Sequence, residues 1–251
     1  MSDMVYMEFQ HFYKLDYPTQ EAFNTLCTNL SFTGGDIKRI MVTSCHPHEG
    51  KSFVTINLMR SLVNTGMRVL LVDADIRASA LQSTYGITIK TPDGTRYNGL
   101  SYYLSGRCDM SGIVGETNIN EAYLILSGKN VVNSFPLYST SRFKTLLDKL
   151  TPEFDVVLID TPPIGAIIDA AKIAPLCDGA LFVVQSGETT DEELKEGIEQ
   201  IEKTNCPILG YVMNKYDESG YGGKYYYYKK KNQRERYWYS NSESYSRRNR
   251  K

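Results

Sequence analysis

The 251-residue sequence predicts an α/β fold, a doubly wound and mostly parallel sheet followed by a disordered C-terminal tail. Three observations carry that expectation. Five short runs, 38–45 (KRIMVTSC), 67–73 (MRVLLVD), 154–160 (FDVVLID), 180–185 (ALFVVQ) and 208–214 (ILGYVMN), are nearly continuous apolar stretches rich in Val, Ile and Leu. Strands buried on both faces of a parallel sheet read this way. Segments with helical spacing lie between them, so strand and helix alternate. From Ser219 onward the pattern stops, and Gly, Lys, Arg, Asn, Ser and Tyr replace the aliphatic residues a core needs.

In chain order, 20–31 reads as an amphipathic helix that packs on the sheet. Run 38–45 is the first predicted strand, and 51–65 (KSFVTINLMRSLVNT) the helix after it. Run 67–73 ends in acids. Helix 142–150 (RFKTLLDKL) precedes strand 154–160, which stops at Asp160 before Thr161-Pro162-Pro163. Helices 166–176 (AIIDAAKIAPL) and 190–204 (TDEELKEGIEQIEKT) flank 180–185, and 208–214 completes the sheet. The domain is expected to span 1–218, a size that one core can fill, and the tail 219–251.

The net charge of −1 conceals a division. Residues 215–251 hold 11 Lys/Arg and 4 Asp/Glu, a charge of +7, against −8 for the remainder. Nine of the 19 tyrosines fall in that same stretch. The five cysteines, at 27, 45, 108, 177 and 206, are scattered and lack metal-ligand spacing, which argues against a disulfide framework or zinc site and for a reducing compartment. The N-terminus has no leader pattern and no 18-residue apolar run occurs, so a soluble cytoplasmic chain is expected.

Chemistry concentrates at three strand ends. After the first strand comes Ser44-Cys45-His46-Pro47-His48-Glu49-Gly50-Lys51-Ser52, with Cys45 where GxxxxGK(S/T) begins in glycine. A strand, a loop ending Gly-Lys-Ser and a helix form the phosphate-binding context. Backbone N–H groups cradle phosphate oxygens there, Lys51 neutralises charge and the Ser52 hydroxyl ligates Mg²⁺. Asp73 and Asp75 end the second strand, two residues apart and so on one face. Asp160 ends a third. The carboxyl edge of a parallel sheet gathers these groups around one Mg²⁺–nucleotide site.

In HPHEGKS, LLVDADIR, FDVVLIDTPP, the early helix EAFNTLCTNL and the tyrosine cluster, the sequence resembles the bacterial tyrosine kinases of capsule and exopolysaccharide systems, in their free-standing cytoplasmic form. The resemblance covers nearly the whole chain. It implies a P-loop NTPase fold and an ATP- and Mg²⁺-dependent protein-tyrosine autokinase that regulates polysaccharide synthesis. By it, His48, Glu49, Gly50, Lys51, Ser52 and Phe53 bind nucleotide. Ser52, Asp75 and Asp160 hold the metal, Lys51, Asp73, Asp75 and Asp160 are catalytic, and Asp73 orients or deprotonates the attacking tyrosine. The acceptors implied are Tyr221, Tyr225, Tyr226, Tyr227, Tyr228, Tyr237, Tyr239 and Tyr245.

The partners implied are the cytoplasmic end of a transmembrane chain-length regulator, which places the chain at the inner membrane face, a cognate tyrosine phosphatase, and further copies of itself. No nucleic acid is expected. The sequence departs from the family pattern at Asn24 and Cys27, where ring-forming arginines stand in EAYRTLRTNL, at His48, a loop glycine in relatives, and at Gln185, usually arginine. Two other readings compete. Partitioning or division-site ATPases of the same superfamily usually carry a signature lysine where His46 stands, and a nucleic-acid binder would use the tail's cations and aromatics. His11, His46 and His48 read as bystanders.

Overall fold

The computed structural model describes residues 4–34, 37–165 and 168–216. In chain order these form β1 (Val5–Glu8), α1 (Tyr17–Ser31), β2 (Arg39–Ser44), α2 (Lys51–Asn64), β3 (Val69–Asp73), α3 (Leu81–Thr84), β4 (Thr88–Lys90), α4 (Gly99–Leu104) and β5 (Gly115–Thr117). There follow β6 (Ala122–Ile125), α5 (Phe135–Tyr138), α6 (Ser141–Leu150), β7 (Val156–Asp160), α7 (Asp169–Ile173), β8 (Gly179–Gln185), α8 (Asp191–Glu202) and β9 (Ile208–Asn214). The tail tyrosines from Tyr221 on, and the expectation that 219–251 is disordered, lie outside the described residues.

The nine described strands make one sheet in the order β4-β1-β5-β6-β3-β7-β2-β8-β9. Only β1 with β4 and β5 with β6 pair antiparallel. The five apolar runs of the sequence are β3, β7, β2, β8 and β9, a contiguous parallel half. The other half is built from strands of three or four residues. Too short for an apolar run, they alternate or stay half exposed, as in β1 and β4.

Alternate side chains of the parallel strands face opposite layers. Val69, Leu71, Ile40 and Val42 pack with Phe23 of α1 and Val54, Leu58 and Leu62 of α2. Leu70, Val72, Val157 and Ile159 pack with Leu100 of α4 and Phe143, Leu146 and Leu147 of α6. On that second face Met41, Ala180 and Phe182 meet Ala170 of α7 and Ile201 of α8. The sheet is therefore covered on both faces, and its ligand edge is the carboxyl end of the strands.

Helix starts follow their caps. Asp16 Oδ1 accepts from Thr19 N at 3.0 Å at the head of α1, and Thr190 and Glu193 form a reciprocal capping box on α8. The predicted helix 166–176 gives an α-turn only over Asp169–Ile173 and then a 3₁₀ turn over Ala174–Leu176, because Pro175 has no N–H for the next helical bond. No described helix is long and apolar enough to cross a membrane.

Candidate nucleotide site

β2 delivers the chain at Ser44 into a loop that α2 then captures. Gly50 caps α2 at φ 96°, where its Cβ, if present, would stand 1.9 Å from Asn214 Nδ2. Any other residue type there would be strained at this φ and would displace the Asn214 side chain. Among the described residues no side chain caps α2, so the first N–H groups of the helix are open to an anionic ligand.

Glu49 sets the loop's shape from within. Its carboxylate is buried. Oε2 accepts from His46 N at 2.7 Å, and Oε1 accepts from Gln185 N at 3.3 Å and from the Thr189 hydroxyl. Asn214 Nδ2, at the end of β9, donates to the Glu49 carbonyl at 2.8 Å. Of the residues expected to bind nucleotide, Glu49 thus commits its side chain to the protein. The Phe53 ring joins an aromatic cluster with Tyr13 and Phe23, each 6.1 Å away. Both retain backbone N–H groups at the loop and first helical turn.

Across from the loop, β3 and β7 lie in register with Asp73 opposite Asp160. Both side chains are buried, and in each Oδ1 has no hydrogen-bond partner among the described residues. Burial pushes Asp73 up to about 7, with the neighbouring Asp160 charge adding to the rise and Ser79 and Ser127 opposing it. Burial likewise raises Asp160 to about 6, against the Ser52 hydroxyl and the Lys51 ammonium. Lys51 is buried too, which depresses its ammonium while Asp160, Asp75 and Glu49 act the other way. Asp75 is half-buried, and its Oδ1 accepts from Ala78 N at 3.0 Å and Arg77 N at 3.3 Å.

The structure therefore brings Lys51, Ser52, Asp73, Asp75 and Asp160 to one edge. A buried lysine beside open helix N–H groups suits phosphate oxygens. Two buried carboxylate oxygens lacking partners next to it suit a small divalent cation or a proton donor. Among the described residues no three His, Cys, Asp or Glu side chains form a metal cage. Mg²⁺ needs none, since it takes one or two carboxylates with water and substrate phosphates.

A family model described as an AAA domain matches residues 38–208. The tyrosine-protein kinase CpsD of Streptococcus agalactiae is 38% identical over 201 residues, covering 80% of this chain and 85% of that protein. The tyrosine-protein kinase YwqD of Bacillus subtilis (strain 168) is 31% identical over 210 residues, covering 81% and 86%. The chain belongs to the bacterial tyrosine kinase family. The kinase domain of Escherichia coli tyrosine kinase ETK superposes with a TM-score of 0.70 at 25% identity, covering 85% of this chain and 87% of that one. This bacterial tyrosine kinase is thus a P-loop nucleotide-binding protein.

The structure shows the local setting of the departures at Cys45, His48, Asn24 and Cys27. Cys45 replaces the first loop glycine without a left-handed backbone, and its buried Sγ donates to Glu193 O at 3.3 Å. Gly197 of α8 makes room: a Cβ there would meet Cys45 Sγ at 3.2 Å and Phe182 Cζ at 2.7 Å. His48 adopts φ 65°, the backbone for which glycine is the unstrained choice. His46 Nε2 lies 3.1 Å from Glu193 Oε1. In α1 of this tyrosine kinase, Asn24 donates to Glu21 Oε1 at 3.0 Å, and Cys27 is buried, its thiol pushed up to about 11 by desolvation.

Sequence reasoning passed over several supports of the site. Ser79 Oγ donates to Asp73 Oδ2 at 2.6 Å and Ser127 N to the same oxygen at 3.2 Å. Arg77 Nε reaches Asp169 Oδ2 at 2.9 Å and Ser134 Oγ at 2.6 Å, tying the end of β3 to α7. Arg77 stood within LLVDADIR and was visible there. Ser79, Ser127, Ser134, Asp169 and Asn214 are single polar residues whose roles exist only in the folded chain.

Proposed function

We propose that this tyrosine kinase transfers the γ-phosphoryl group of ATP to tyrosines of its own C-terminal cluster and thereby regulates assembly of a surface polysaccharide. The observation that carries the reading is the placement of Asp73 and Asp160 in register beside Lys51, above a loop built for phosphate. The eight tyrosines from Tyr221 to Tyr245 supply the acceptors.

Lys51 and the α2 N–H groups hold and neutralise the terminal phosphates. Mg²⁺, held by Ser52, Asp75 and Asp160, would add charge stabilisation for the transferring group. The tyrosine oxygen forms the new bond to phosphorus, the bond from the γ-phosphorus to the β–γ bridging oxygen breaks, and ADP departs. Asp73, with Oδ1 unpartnered and Oδ2 held by Ser79 and Ser127, orients the tyrosine hydroxyl and accepts its proton. A tyrosine of pKa about 10 needs such an acceptor.

The family resemblance supports three further assignments. The cytoplasmic end of a transmembrane chain-length regulator activates the kinase and holds it at the membrane, a tyrosine phosphatase reverses the reaction, and copies of the chain associate. The test incubates the purified chain with ATP and Mg²⁺, with and without the regulator's cytoplasmic peptide, and follows intact mass. Stepwise phosphate additions that map to Tyr221–Tyr245 and vanish in Lys51→Met are expected. No addition under any of these conditions overturns the reading.

A further inference from the structure

The segment that leaves β3 carries Asp75 and is tied to its surroundings largely through its backbone. Ala74 N donates to Asp160 O at 2.8 Å, and the Tyr138 hydroxyl donates to Ala74 O at 2.6 Å. Val131 N donates to Ile76 O at 2.8 Å. Bonds of this kind fix the path of the chain. The Arg77 side chain adds a tie of another kind, because its Nε donates to Ser134 Oγ at 2.6 Å and to Asp169 Oδ2 at 2.9 Å. The Ser134 hydroxyl in turn donates to Asp169 Oδ2.

Asp75 depends on the same turn. Its Oδ1 accepts from Arg77 N at 3.3 Å and Ala78 N at 3.0 Å, and its carbonyl accepts from Ser79 N at 3.1 Å. The backbone of Arg77 thus holds the Asp75 carboxylate while its side chain holds Asp169. Asp169 opens α7, nine residues after Asp160 and beyond Pro162-Pro163. The Arg77–Asp169 pair is therefore a cross-brace. It joins the segment beyond Asp75 to the segment beyond Asp160, the two carboxylates assigned above to Mg²⁺.

Stability alone is a weak reason for such a brace. Asp169 and Ser134 are buried, and Asp169 Oδ1 has no hydrogen-bond partner among the described residues. Replacing a buried ion pair by apolar residues is often neutral or stabilising. What an apolar pair lacks is direction, since an arginine held at Nε by two oxygens fixes the turn that presents Asp75. We propose that Asp169, with Ser134, is a positioning residue for metal-assisted nucleotide binding, acting through Arg77 to set Asp75 against Asp160 before Mg²⁺ arrives. The inference rests on the assignment of Asp75 and Asp160 to Mg²⁺ in the kinase reading above. Asp169 acts at one remove and holds neither metal nor nucleotide.

The test titrates Mg²⁺ into the full chain with N-methylanthraniloyl-ADP and compares affinity in chelator with affinity in saturating Mg²⁺. In wild type Mg²⁺ should tighten binding. In Asp169→Asn the half-saturating Mg²⁺ concentration should rise ~10-fold, the low end for groups that orient metal ligands, while affinity in chelator is unchanged. On an Asp75→Ala background Asp169→Asn should add nothing, as befits a residue that acts through Asp75. Ser134→Ala keeps the ion pair and should raise the Mg²⁺ requirement by roughly 3-fold, the effect of one neutral hydrogen bond. Equal loss of affinity in chelator and in Mg²⁺ would make α7 a structural support only and overturn the proposal. An unshifted Mg²⁺ requirement in Asp169→Asn, additivity with Asp75→Ala, or a wild type indifferent to Mg²⁺ would do the same. If Asp169→Asn does not fold, an unshifted Ser134→Ala overturns it alone. No phosphoryl transfer is measured, so this inference and the autokinase reading fail separately.

Discussion

Asp73 and Asp160 face each other across the β3–β7 ladder as in-register residues of adjacent parallel strands, both buried, each with one oxygen unpartnered among the described residues. Two carboxylates so placed do not both ionise readily without a cation. For the metal-free protein this fixes the sign of a pH effect. Asp73 titrates near 7 when folded, above its ordinary value of 3.8, so the folded state holds a proton that the unfolded state has released. The stability it contributes is present below the unfolded value and lost as pH rises toward 7. Asp73→Asn should therefore gain on wild type between pH 5 and 8 in chelator, read as the difference in thermal midpoint. A difference independent of pH would contradict the assignment.

Glu49 is the internal clamp of the phosphate loop. Glu49→Ala strips three donors of their acceptor and should cost about 2–3 kcal/mol of stability, with nucleotide affinity falling alongside. Denaturant unfolding and titration of a fluorescent ATP analogue measure the two losses. An unchanged affinity would show that the loop keeps its shape without the clamp.

Restoring the family's glycines should have opposite effects at two positions. Cys45→Gly leaves a cavity beside Phe182 and Gly197 and is expected to destabilise by about 1–2 kcal/mol. His48→Gly relieves a left-handed backbone and should stabilise by up to ~1 kcal/mol. Chemical denaturation of both variants checks the contrast.

In the Arg77–Asp169 pair the side chains are 29% and 1% exposed, so the two truncations differ. Arg77→Ala leaves the buried Asp169 carboxylate without its cation, with the Ser134 hydroxyl still donating to Oδ2, and should cost about 3 kcal/mol. Asp169→Asn leaves an arginine that reaches water and should cost less. Equal losses in a denaturant series would mean the buried carboxylate does not depend on Arg77.

The half of the fold that holds the nucleotide was legible because its strands are buried on both faces and read as apolar runs ending in Ser44, Asp73 and Asp160. The β4-β1-β5-β6 half was not, because a three-residue strand such as β5, Gly115–Thr117, has no period to detect. The loop and its acids were likewise visible as motifs. Asn214 and Asp169 were not, since a single amide or carboxylate gains meaning only from partners 165 and 92 residues away in sequence.

Asn214 closes the edge strand β9 and also holds the carbonyl of Glu49. Edge strands are where native proteins open locally, at free energies below that of global unfolding. Fraying of β9 and slackening of the phosphate loop are then one event, and nucleotide binding suppresses both by mass action. Hydrogen exchange along Ile208–Asn214 should therefore slow when ATP binds.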